Sequence, residues 1–135
     1  MQFTSLREKI SHESKARAAR AIEFEALARS AYEAGIKAGR ECRPIAMAVC
    51  DSTGRPIEIV DDGACGFAWV NFAGNTAWGR WAKKAGIARP DYPTGLCVWV
   101  SEFGQSVDRK AAFAGAYAQT LRDAGIDCYA GSRLD

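Results

Sequence analysis

Two sets of residues in this chain suit ligand recognition: the aromatics Phe67, Trp69 and Trp99, and the cations Arg80, Lys83, Lys84, Arg89 and Arg133. Phe67, Trp69 and Asn71 alternate with Ala68, Val70 and Phe72 along one strand-like run, and Trp99 alternates with Val98 and Val100 along another. A period of two therefore allows the three rings to share one side of a sheet. On an open sheet such rings stack on unpaired bases, at about 1 to 3 kcal/mol per base. Large aromatics also bury about 150 to 250 Å² each and dominate cores. An Ala-rich helix lies upstream to cover them, so core packing is the plainer expectation. Trp69 and Trp99 bind a ligand only if that helix leaves them open. The RNP1 pattern of an RNA-recognition sheet is absent.

Arg80, Lys83, Lys84 and Arg89 form a basic cluster uninterrupted by acids until Asp91. The first three fall on the solvent side of a helix that carries Trp78 and Trp81, where they can meet phosphates or an acidic protein surface. A solvated helix face is the ordinary alternative. Arg133 sits in the tail Gly131 to Asp135, which reads either as a ligand-facing hook or as a frayed end.

Catalytic chemistry has little to build on. Cys65 as a nucleophile needs a base, and the sole histidine, His12, belongs to the first helix. Gly63-Ala64-Cys65-Gly66 precedes a strand, whereas a phosphate loop follows one and opens a helix. Glu58, Asp61 and Asp62 surround a turn without the spacing of a metal loop. Four zinc ligands would have to come from cysteines on separate strands. We expect no catalytic residues, no metal and no cofactor.

The chain has 135 residues, enough for one domain and too few for two cores. Apolar residues at 48% and charged residues at 25% match ordinary globular usage and exclude a disordered tail or a coiled-coil rod. The net charge of +2 is too small for the whole-protein field to drive non-specific nucleic-acid binding, so any such binding must be local. No apolar run reaches the length of a membrane span, and the N-terminus has neither a signal peptide nor an anchor, so a cytoplasmic location is expected. Cys42, Cys50, Cys65, Cys97 and Cys128 lack CxxC spacing and are expected to be buried free thiols.

The tripeptide Ala-Gly-Ile recurs at 34–36, 85–87 and 124–126, each time after a helix-like stretch. Glycine at C′ followed by an apolar residue is a helix stop. A first helix starts at Ser5, which with Glu8 forms a capping box, and runs to Ala34, with Gly35 a bend or stop and Gly39 a second candidate stop. A second spans about Thr76 to Ala85, and a third Ser106 to Ala124. Strand-like runs cover 45–50, 57–60, 65–72, 96–101 and 126–130, the first two joined as a hairpin through Asp51 to Pro56. The expected fold is a single α+β domain. Residues 1–43 form a helical N-terminal arm, and residues 44–135 a body with a mixed sheet of about five strands and two crossover helices.

Cys65-Gly66-Phe67-Ala68-Trp69-Val70, with Trp99-Val100, Gly104-Gln105-Ser106, Arg109-Lys110 and the closing Ser132-Arg133-Leu134-Asp135, resembles a group of small bacteriophage accessory proteins of uncharacterised activity. The similarity spans residues 63–135 and, more loosely, the Ala-rich helix. It implies the cytoplasm of an infected bacterium and a non-enzymatic protein that docks on host machinery or host defence. Near-neutral charge favours a host protein or nucleoprotein as the partner. Single-stranded nucleic acid bound by the basic helix and the sheet aromatics is the alternative, followed by a small enzyme. In either binding role the residues are Arg80, Lys83, Lys84, Arg89, Trp69, Trp99 and Arg133. Homo-oligomer formation through the first helix is a further expectation, from its length and small residues.

Overall fold

A computed structural model describes residues 5–135. Ser5 is the N-cap of α1 (Leu6–Glu41), its hydroxyl accepting from the Glu8 amide at 3.3 Å. At 1.5 Å per residue the helix is about 54 Å long. It does not stop at Gly35. Ala31, Gly35 and Gly39 recur every four residues and are buried, forming a shallow trough into which aromatic rings fit. A Cβ on Gly35 would stand 2.8 Å from the Phe113 ring, and one on Gly39 would overlap Phe103. These glycines therefore serve close helix packing, and the first Ala-Gly-Ile is not a helix stop.

The other two copies are stops. α2 (Ala77–Lys84), capped by Thr76, and α3 (Val107–Asp123), capped by Ser106, both end in Schellman turns. Gly86 and Gly125 take φ values of 80° and 87°, while the amides of Ile87 and Ile126 reach back to the carbonyls of Ala82 and Leu121 at 3.1 and 3.0 Å.

β1 (Met47–Cys50) and β2 (Pro56–Val60) form a separate two-stranded hairpin. The main sheet has the order β4 (Arg89–Pro90), β5 (Leu96–Trp99), β3 (Gly66–Phe72), β6 (Tyr129–Leu134), antiparallel throughout. The α+β class and the long N-terminal helix stand, but the mixed five-strand sheet is replaced by these two antiparallel sheets. After α2 the chain makes the short β4 and turns at 91–95, where the Asp91 amide bonds the Gly95 carbonyl at 3.0 Å. β5 consequently runs opposite to β3. Both expected crossovers are present: α2 links β3 to β4, which runs parallel to it one strand away, and α3 carries the chain past β3 so that β5 and β6 flank it in the same direction.

Ala68, Val70 and Phe72 form the buried side of β3 and join Phe113, Ala114, Tyr117, Ala118 and Leu121 of α3 in the core. α1 packs on α3, and Trp78 of α2 meets Phe72 at a ring separation of 5.8 Å. All three helices therefore lie on one side of the sheet. Arg109 ties the layers together: its guanidinium donates to the Gly39 carbonyl at 2.8 Å and to Asp62 at 3.2 Å, capping the C-terminal end of α1 with a cation.

The accessible surface is 9140 Å². A compact chain of this mass would expose roughly 6,900 Å². Residues 6–20 of α1 are exposed all round, and so is most of the β1–β2 hairpin, which accounts for the excess. No helix among the described residues is long and apolar enough to cross a membrane.

Candidate binding face

With the helices gathered on one side, the opposite side of the main sheet is bare. Strand alternation turns Phe67, Trp69 and Asn71 of β3 toward it, and each is half-buried while its neighbours Ala68, Val70 and Phe72 are fully covered. Trp99 pairs directly with Trp69 across β5 and β3. Core packing of Phe67, Trp69 and Trp99 is thus not what the fold produces: the three rings lie outside the core cluster, with α1 packed on α3, and of the three only Trp99 also lines a cleft shared with Glu25, Ala28, Arg29 and Tyr32 of α1.

The rings form a continuous patch. Trp69 and Trp99 are stacked, with centroids 6.0 Å apart and planes 10° from parallel. Phe67 lies 5.5 Å from Trp99. Gly131 on β6 faces Trp69, and a Cβ there would come within 2.7 Å of the indole, so the missing side chain is what lets the ring lie flat over the neighbouring strand.

Cations sit over the patch. The Arg89 guanidinium is 5.1 Å from the Trp99 centroid, and that of Arg133 is 5.3 Å from Phe67. Such contacts contribute about 0.5 to 1 kcal/mol each at exposed sites and hold the planar groups flat against the rings. Lys110, only 6% exposed, donates to the Gly66 carbonyl at 3.3 Å and places its ammonium 5.6 Å from Phe67. The tail is neither a hook nor a frayed end. Residues 129–134 are strand β6, in six-residue register with β3, which sets Arg133 opposite Phe67.

Trp69, Trp99, Arg89 and Arg133 are therefore brought together on one surface. Arg80 and Lys84 are not: with α2 on the helical side of the sheet, they line a cleft against α1. Lys83 faces a third region, beside Pro90 and Leu96. Sequence reasoning missed Lys110 as part of the aromatic patch, because its helical position gives no sign that its ammonium reaches the Phe67 ring. Gly131 was equally silent.

Comparison with known protein families, known proteins and solved structures finds no match.

The groups whose acidity the fold displaces lie elsewhere. Burial pushes the Tyr117 hydroxyl up to about 12, and it likewise raises the Cys128 thiol. The negative charge of Glu102 raises Tyr32, and the Thr53 hydroxyl bond lowers Asp51 within the hairpin turn. Among the described residues no three metal-ligating side chains converge. Of the five cysteines, Cys97 and Cys128 are buried but Cys50 and Cys65 are exposed, so the expectation of buried thiols holds only for part of the set. On the bare sheet face the chemistry available is stacking and cation contact.

Proposed function

We propose that this chain is a non-catalytic binding module whose bare sheet face takes a short segment of single-stranded nucleic acid. The observation that carries the reading is the patch of Phe67, Trp69 and Trp99 with guanidinium groups lying over two of the three rings. Unpaired bases stack on aromatic rings and on guanidinium planes alike, while the same cations meet the backbone phosphates. An antiparallel sheet with helices on one side leaves the other side free for this use. The low net charge keeps such binding local to the patch.

A second reading, in the spirit of a phage accessory protein docking on host machinery, draws on a different surface. Ile45, Ile57 and Ile59 are 83%, 65% and 58% exposed on and beside the β1–β2 hairpin, which has no sheet beneath it. Isolated hairpins are marginal in water, so a protein partner laid over these aliphatics would stabilise the hairpin and bury them together.

Titration of the full chain with a fluorescent oligonucleotide of about 12 residues tests the first reading, a length within the range that single-strand binding folds cover. Saturable binding that weakens steeply between about 50 and 200 mM salt supports it. No binding at the lower salt concentration rules it out.

A further inference from the structure

We propose that the cleft between α1 and α2 is a second and independent binding site, for a nucleoside phosphate. Arg17 and Arg20 lie three residues apart on α1, and Arg80 and Lys84 four apart on α2, so each pair shares one helix face. The two faces meet across a cleft of about 350 Å³ with Phe24 and Trp81 also in its lining. Ligand pockets start at roughly this size, which suits a single nucleotide.

The aromatic part of the lining is held in place. Phe24 and Trp81 have ring centroids 5.8 Å apart, and both rest on Trp78, at 5.5 and 5.3 Å, which is itself 2% exposed. Around the rings the charge is of one sign. No acidic side chain lines the cleft, and the ion pairs Arg29 with Glu25 and Arg109 with Asp62 involve none of the four cations. Arg80 is further fixed by donating to the Asn75 carbonyl at 2.9 Å.

Like charges that converge without counter-ions repel one another, and a polyanion relieves that repulsion on binding. Guanidinium forks pair with phosphate oxygens in a bidentate manner, which favours phosphate over a diffuse acidic surface. The rings supply a stacking partner for a base. Together these select a ligand with a dense negative end and a flat apolar end. The nucleotide can be free or part of a strand, and both sources present the same chemistry.

Calorimetric titration of the full chain with ATP, inorganic tripolyphosphate, adenosine and a short oligonucleotide tests the site. We expect ATP to bind, with tripolyphosphate and adenosine each weaker by about tenfold or more, because each supplies only half of the contacts. The double variants Arg80→Glu/Lys84→Glu and Arg17→Glu/Arg20→Glu should each lose about tenfold or more in ATP affinity. Lys37→Glu, a charge reversal on the exposed surface of α1 outside the cleft, should leave ATP binding unchanged. Oligonucleotide affinity lost in the cleft variants identifies a strand as the source; oligonucleotide affinity retained identifies the free nucleotide. All four cations are exposed, so the fold should survive reversal, as circular dichroism would show. Should the α2 pair fail to fold, the α1 pair carries the test. Absence of ATP binding to the natural chain, equal binding of ATP and tripolyphosphate, or unchanged ATP affinity in folded cleft variants would each overturn the proposal.

Discussion

Trp69 and Trp99 occupy directly opposed positions on adjacent strands and stack with their planes 10° apart, outside the core. The pair is a platform, and removing either ring should be felt by a stacked ligand more than by the fold. Trp69→Ala and Trp99→Ala should each weaken oligonucleotide binding by about 1 to 3 kcal/mol, measured by fluorescence anisotropy. Unchanged affinity in both folded variants would remove the sheet face from the binding site.

Gly131 offers a way to disturb the platform while keeping every ring. Gly131→Ala sets a methyl group against the Trp69 indole, so the ring must shift from its place over β6 and its stacking on Trp99 is disturbed. We expect an altered near-ultraviolet signal from the tryptophans and a loss of oligonucleotide affinity of the same sign as in Trp69→Ala.

Arg133 meets phosphates, on the proposed reading, besides lying over Phe67. Arg133→Gln should reduce the slope of log affinity against log salt by about 0.7, the counterion share of one phosphate contact on a single strand. An unchanged slope would show that Arg133 touches no phosphate.

Two helical glycines should respond to alanine in opposite directions. At Gly39 the new Cβ overlaps the Phe103 ring, and overpacking of this kind costs about 1 to 3 kcal/mol. Gly115, in the interior of α3, has nothing within 4 Å of the added atom. There Gly→Ala should stabilise by about 0.5 to 1 kcal/mol through helix propensity alone. Denaturant melts of the two variants check the contrast.

Tyr117 predicts a fall in stability at alkaline pH. Its hydroxyl has an ordinary value of 10.0 and is raised by burial to about 12 in the folded chain, so between those values the folded state holds a proton that the unfolded state has released. Stability from this group is complete below pH 10 and is lost as pH rises through the interval, by an order of about 2 to 3 kcal/mol. Cys128, also raised by burial, acts in the same direction. Melts of Tyr117→Phe between pH 9 and 12 should fall less steeply than those of the natural chain.

Much of this architecture is local in origin and was readable from the chain. Ser5, Thr76 and Ser106 each cap a helix because a hydroxyl at that place satisfies an amide within the next turn. Gly86 and Gly125 stop helices through their own backbone freedom, and strand alternation put Phe67 and Trp69 on one side. What lay beyond reach depends on residues distant in sequence. Gly35 has the same neighbours as Gly86 and Gly125, yet its helix continues because Phe113 fills the space that a side chain would take. The direction of β5 turned on how the chain reverses at 91–95, and the extent of β6 on its pairing with β3. The side of the sheet that stays bare was decided by α1 packing on α3, since an amphipathic stripe specifies that a helix be covered but not by which surface. That choice separates Trp69, Trp99, Arg89 and Arg133 from Arg80 and Lys84, and with Lys83 beside Pro90 and Leu96 the candidate ligand-binding residues fall on three surfaces.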